Sequence, residues 1–148
     1  MSTYSFVNIT ASITGPGGLF TIGGDGAANS EEGITIEMAE DRDNMQIGAD
    51  GTPMHSLHAG KGGTFTFRLL KTSPVNQQLS LMHDYQQLSS VNWGQNIIVI
   101  RNTGSGDIVT GQSCAFKRWP NTTYAKDGGT VEWAFNVGKI DGFLGLYS

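Results

Sequence analysis

The 148-residue sequence predicts a mainly β protein: two packed antiparallel sheets, as a sandwich or a flattened barrel, with one α-helix and one long protruding loop. Three observations predict it. Stretches such as Thr64 to Leu70 and Gly129 to Lys139 alternate apolar and polar residues, the periodicity of a half-buried strand. The 21 glycines cluster between apolar runs, where they act as turn punctuation. A single segment, opened by Ser73 and Pro74, carries apolar residues at helical spacing.

Taken in order, Tyr4 to Thr14 reads as a first strand, with Val7, Ile9, Ala11 and Ile13 on one face. Gly15-Pro16-Gly17-Gly18 turns it into a short strand, Leu19 to Ile22. Gly23 to Ser30 is a glycine-rich flexible loop, and Gly33 to Met38 is the next strand. Ala39 to Gly60 is long and irregular, a length that in a compact domain points to function or disorder. Within it a small ribbon is expected: Asn44 to Ile47, a turn at Gly48 to Gly51, then Met54 to His58. Met45, Ile47, Met54 and Leu57 give that loop apolar grip for a partner. Thr64 to Leu70 places Phe65, Phe67 and Leu69 inward. The helix spans 73–90, with Ser73 as cap, Pro74 at the first helical position and a stripe of Val75, Leu79, Met82, Tyr85 and Leu88. His83 is expected on its exposed side, beside Asp84. Later strands are Asn96 to Asn102, Asp107 to Lys117, a short piece at Thr122 to Ala125, and Gly129 to Lys139, where Val131, Trp133, Phe135 and Val137 face one way.

The length suits one domain, 1–148, with 39–60 as its extended loop. Charged residues make up only 15%, low for a free-standing soluble surface, so much of the surface is expected to be covered by something else. A net charge of −4 argues against gripping nucleic acid, which requires clustered Lys and Arg. Cys114 stands alone, so an intrachain disulfide is excluded and a reducing compartment fits. The first residues have neither a basic head nor an apolar stretch, so no secretory leader is expected, and no run has the length of a membrane span.

The charge is unevenly spread. Residues 31–50 hold seven of the thirteen acids (Glu31, Glu32, Glu37, Glu40, Asp41, Asp43, Asp50) against one base, Arg42, a net of −6. The remainder has six acids and eight bases, a net of +2. An electrically polar subunit can attract a copy of itself head to tail, the geometry of rings and filaments. A solvated acidic loop is the plainer reading of the same residues.

The constellations that would carry catalysis or cofactor binding fail on inspection. His55 and His58 lack a carboxylate or Cys at ligand spacing and sit between Gly51, Pro53 and Gly60 rather than on a helix. Gly111 to Ala115 superficially matches a nucleophile elbow, but it lies in a strand and lacks the closing glycine. Gly60-Lys61 is followed by Gly62 and a strand, so no amide cradle for phosphate forms. Gly15, Gly17 and Gly18 likewise lack a following helix. Asp41, Asp43 and Asn44 lack the alternating oxygens and closing Glu of a calcium loop. Trp119, between Arg118 and Pro120, is the tryptophan best placed to face a partner.

Several segments occur in a telling order. They are Met1-Ser-Thr-Tyr-Ser-Phe, Gly15-Pro-Gly-Gly, Glu32-Gly-Ile-Thr-Ile-Glu, Ile47-Gly-Ala-Asp-Gly, Met54-His-Ser-Leu-His-Ala-Gly-Lys, Arg68-Leu-Leu-Lys-Thr-Ser-Pro-Val-Asn, Trp93-Gly-Gln-Asn and Tyr124-Ala-Lys-Asp-Gly-Gly. The series, spanning nearly the whole chain, resembles the tail tube proteins of contractile-tailed phages and prophages, a family similar to the tube protein of type VI secretion. The resemblance implies hexameric rings whose inner sheets join edge to edge around a lumen. It implies stacking of rings into a hollow tube inside a sheath, and a long loop that reaches the neighbouring ring. Phage DNA would pass down the lumen, with no catalysis and no cofactor. Partners would be further copies of the chain, the sheath protein, baseplate and terminator proteins, and the tape measure protein inside the lumen, with no membrane. Localisation would be the virion tail, assembled in the bacterial host cytoplasm. In that frame Glu40, Asp41, Asp43, Met45, Ile47, Met54 and Leu57 are expected at the contact between rings. Lys61, Arg68, Lys117, Arg118 and Lys126 are expected to form the basic counter-surface. Glu31, Glu32, Glu37 and Glu132 are candidates to line the lumen, where negative charge repels phosphate. Alternatives are another tail or baseplate ring, a secretion-system tube, or a monomeric β-barrel module binding a small ligand.

Overall fold

Phe65, Phe67 and Leu69 project from one face of a strand and are fully buried, and that row organises the molecule. The computed structural model describes residues 2–23 and 29–147, with the side chains of residues 29–32 excepted. The expected flexible loop, Gly23 to Ser30, lies for the most part outside the described residues. The elements run β1 (Ile9–Gly15), β2 (Gly18–Gly23), β3 (Asn29–Met38), β4 (Asp43–Ile47), β5 (Pro53–Leu57), β6 (Gly63–Leu70), α1 (Val75–Gln86), β7 (Asn96–Asn102), β8 (Asp107–Phe116), β9 (Thr130–Val137) and β10 (Lys139–Phe143).

The order of pairing is β2-β1-β7-β8-β9-β6-β3, with β10 beside β8 and all pairs antiparallel. This path folds into two layers. In one, β6 and β9 align Phe67 with Trp133, Phe65 with Phe135 and Leu69 with Val131. In the other, Ala11, Ile13, Ile98, Ile100, Cys114 and Ile140 face them. Phe116 locks the layers, its ring 4.7 Å from Phe135 and 5.8 Å from Trp133. Among the described residues β2 and β3 end the path without pairing each other, so the architecture is an open sandwich rather than a closed barrel.

Two strands turn the corner between layers. β8 pairs with β10 through Ile108 to Gln112, then with β9 through Ala115 and Phe116. The switch is a bulge, where Ser113 adopts φ 54° and the register against β7 slips between Asn96 and Ile98. Gly138 donates its N–H to Gln112 O at 3.0 Å, where the chain passes from β9 to β10 in the other layer; the predicted strand, Gly129 to Lys139, corresponds to β9, and β10 is an additional strand.

The helix covers one end of the sandwich. Val75, Leu79 and Met82 are buried as expected, but the stripe continues through His83 and Gln86. Tyr85 is half exposed and Leu88 is 80% exposed. His83 is therefore not on the outer side. Its ring stacks edge-on against Phe116 at 5.2 Å and Trp93 at 5.9 Å. Gln86 and Asn96 exchange two amide hydrogen bonds, at 2.7 and 3.0 Å, and Gln86 also donates to Pro16 O. Removing either partner would strand a buried amide, at a cost of about 1–3 kcal/mol. Gly15 makes this pair fit, since a Cβ there would lie 1.9 Å from Asn96 Oδ1. Helix entry also differs slightly from expectation. Pro74 occupies the cap position, and Ser73 Oγ accepts the Val75 N–H at 3.3 Å.

Two further elements differ. Phe6–Asn8 is a 3-10 turn rather than strand, held by Ser5 Oγ accepting the Val7 N–H, and Val7 is 84% exposed. Residues 122–125 form no strand. Lys71 tethers this segment by donating to Thr123 O while its Nζ lies 3.8 Å over the Tyr124 ring.

Candidate assembly surface

The long loop between β3 and β6 folds into the expected ribbon, β4–β5, a two-stranded sheet separate from the sandwich. Gly48 to Thr52 closes it, with Gly48 N–H donating to Thr52 O at 2.9 Å and Gly51 at φ 88°. Asp50 Oδ1 accepts the Thr52 N–H at 3.0 Å, and this bond, helped by the Thr52 hydroxyl, holds its carboxyl below the ordinary range. At the base, Arg42 Nη1 donates to His58 O at 2.8 Å and Ala39 N–H donates to Gly62 O.

Register sorts the ribbon into two chemically different faces. Asp43 opposes Leu57, Met45 opposes His55 and Ile47 opposes Pro53. One face thus carries Met45, Ile47 and Leu57, with the Asp43–His55 pair (2.8 Å) among them. Met54 opposes Gln46 on the other face. The four apolar residues expected at one contact therefore divide three to one. Met45, Ile47 and Leu57 are 51, 64 and 86% exposed, so none is packed on its own sandwich. Glu40 and Asp41 are exposed beside the base.

Three of the five expected basic residues, Arg68, Lys117 and Arg118, gather at one groove, while Lys61 and Lys126 lie apart from it. Lys61 Nζ lies 3.0 Å from Asp141, and this bond, with Lys139 nearby, holds the Asp141 carboxyl below its ordinary range. Arg68 lies 3.5 Å from Glu132 and donates to Thr35 Oγ1 at 2.7 Å. Lys117 and Arg118 join Arg68 around a polar groove of about 510 Å³ on the outer face of the β3-β6-β9 layer. Lys126 is exposed in the stretch after β8. Of the four acids expected to face a lumen, Glu37 and Glu132 line that same groove. Glu31 and Glu32 belong to β3 by backbone, and their side chains lie outside the described residues. Trp119 is 48% exposed and donates to Ser80 Oγ on the helix at 3.4 Å.

A second surface was not anticipated. Between the layers, at the β3 margin, opens an apolar cleft of about 360 Å³ lined by Phe6, Ile9, Ile34, Ile36, Ile100 and Val109. Tyr4, Arg101, Asp107 and Leu144 border it. Asp107 Oδ1 accepts the Gly145 N–H, while Arg101 is exposed and makes no ion pair among the described residues. Its only signal in the sequence is an outward position in an alternating strand.

An exposed ribbon, unpaired sheet margins and low surface charge belong to a protein built to meet other proteins. The model of the family described as Bacteriophage PhiTE tail tube protein matches residues 1–145. The chain belongs to the phage tail tube family. It is thereby a structural protein of the phage tail, as the ordered sequence segments implied. No match was found among curated protein sequences. Among solved structures, this tail tube family member is similar to the sheath/tube terminator of an extracellular contractile injection system, PVC, in its extended state. That similarity has a TM-score of 0.59 and 13% identity, covering 97% of this chain and 98% of the other. It is also similar to the tube-terminating cap of the anti-feeding prophage, with a TM-score of 0.55 and 6% identity, covering 97% and 93%. These likenesses establish a shared fold. Among the described residues, no helix is long and apolar enough to cross a membrane.

Proposed function

We propose that this chain assembles into hexameric rings that stack as the hollow tail tube of a phage, inside a sheath, and that phage DNA is delivered through the lumen. The observation that carries the reading is the β4–β5 ribbon, whose apolar face is exposed among the described residues. An isolated two-stranded ribbon is marginally stable in water, so a neighbouring copy is the natural support. The margins of β2 and β3, unpaired among the described residues, favour lateral pairing between copies, which removes exposed edges. Sheath, baseplate, terminator and tape measure proteins would be the other partners, met during assembly in the host cytoplasm. Glu40, Asp41 and Asp43 would face cationic side chains on the next ring, among which Arg101, Lys117, Arg118 and Lys126 are exposed. Exposed ion pairs contribute only about 0.2–1 kcal/mol each, so they orient the contact while the apolar face supplies most of the affinity.

A second reading, a ring that ends the tube rather than extends it, is favoured by the fold shared with a terminator and a cap. Negative-stain microscopy of the purified protein at rising concentration separates the two. Rods are the expected result. Single rings that never lengthen would favour the terminating role, and particles that stay monomeric would contradict both.

A further inference from the structure

We propose that the apolar cleft at the β3 margin is the socket for the β4–β5 ribbon of another copy. The inference rests on the assembly reading above and names the receptor within it.

Three observations carry it. The cleft is lined by Ile9, Ile34, Ile36, Ile100 and Val109, with Leu144 at the edge, so it suits apolar side chains and offers little to polar ones. At about 360 Å³ it has room for a few side chains and none for a second sheet. The ribbon presents a matching set: Met45, Ile47 and Leu57 stand on one face, all more than half exposed. Charge is compatible with this seating. Residues 40–57 carry Glu40, Asp41, Asp43 and Asp50 against Arg42 alone, a net of −3. Arg101 and Asp107 both line the cleft, so its charges balance and it does not repel the acidic ribbon; Asp107 accepts the Gly145 N–H, while Arg101 is exposed and has no ion pair among the described residues. The polar groove holding Lys117 and Arg118 offers positive charge as well, but Thr35, Glu37, Thr64, Thr66 and Glu132 line it, and it has no place for the apolar triplet.

Cross-linking between singly substituted copies tests the seating. Leu57→Cys protein is mixed with Ile36→Cys protein under mild oxidation at a concentration where wild type assembles. The native Cys114 does not compete, because it is fully buried and desolvation pushes its thiol up to about 12. Leu144→Cys, at an exposed position on the cleft edge, serves as a second partner should Ile36→Cys fold poorly. Met54→Cys, on the opposite ribbon face, is the control. The expected result is at least about tenfold more disulfide dimer from the Leu57 mixtures than from Met54→Cys with the same partners, since seating raises the local thiol concentration toward the millimolar range. Assemblies that form normally yet give no Leu57 cross-link to either cleft position would overturn the socket and leave the tube reading standing. Wild-type protein that never assembles would sink both.

Discussion

Replacing Met45, Ile47 and Leu57 together by serine leaves the subunit folded and raises the concentration needed for assembly at least about a hundredfold. The two halves of this result have separate causes. None of the three side chains is buried in the sandwich, so the melting temperature should move by no more than about 5 °C, the scale of three surface substitutions of about 0.5 kcal/mol each. In the assembly each loses its exposed apolar area to a neighbour. Complete burial of such a side chain is worth about 1.5–3 kcal/mol, and roughly 1 kcal/mol each is a conservative share for groups already partly covered. Three such losses total about 3 kcal/mol, and each 1.4 kcal/mol is a factor of ten in association. Sedimentation against concentration reads the shift. Unchanged assembly of the triple variant would remove the ribbon from the contact.

Phe135→Ala acts on the opposite side of this division and is expected to destabilise the isolated subunit by about 3–5 kcal/mol, the usual cost of deleting a large buried ring. Phe135 is fully buried, lies 4.7 Å from Phe116 and 5.8 Å from Phe67, and joins both layers at the corner where β8 leaves one for the other. Small domains have only about 5–15 kcal/mol of stability, so this loss is a large fraction of the whole. Denaturant unfolding should show a lower midpoint with a similar slope. Phe143→Ala, at a ring 66% exposed on β10, should change the midpoint little. Equal effects from the two substitutions would contradict the placement of the core.

The division between buried core and exposed ribbon is largely readable in the chain because each follows from local sequence. Phe65, Phe67, Trp133 and Phe135 alternate with polar residues, and a period of two assigns them to one face whatever the tertiary details. The ribbon was readable because Gly48 to Gly51 is turn chemistry between two short strands. What escaped was set by contacts distant in sequence. His83 beside Asp84 looks polar on its own helix, and only Phe116 and Trp93, brought in by β8 and the turn after α1, make its site aromatic. The corner needs a positive φ at Ser113, which no local preference of serine announces. β10 was missed because Gly142 interrupts a short alternating run. Met54 was grouped with Met45, Ile47 and Leu57 by composition, although the register places it on the opposite face. Arg101 was passed over because its cleft exists only where β1, β3, β7 and the chain near Leu144 converge.

The account holds that a subunit with a finished core carries an unfinished ribbon, which identical neighbours complete. Amide hydrogen exchange compared between dilute monomer and concentrated assembly tests this most directly. In the monomer the amides of β4 and β5 should exchange fast, as expected for a small exposed sheet with little packing, while those of β6 and β9 exchange slowly. On assembly β4 and β5 should gain strong protection and β6 and β9 should change little. Ribbon amides that exchange equally fast in both states would contradict the account.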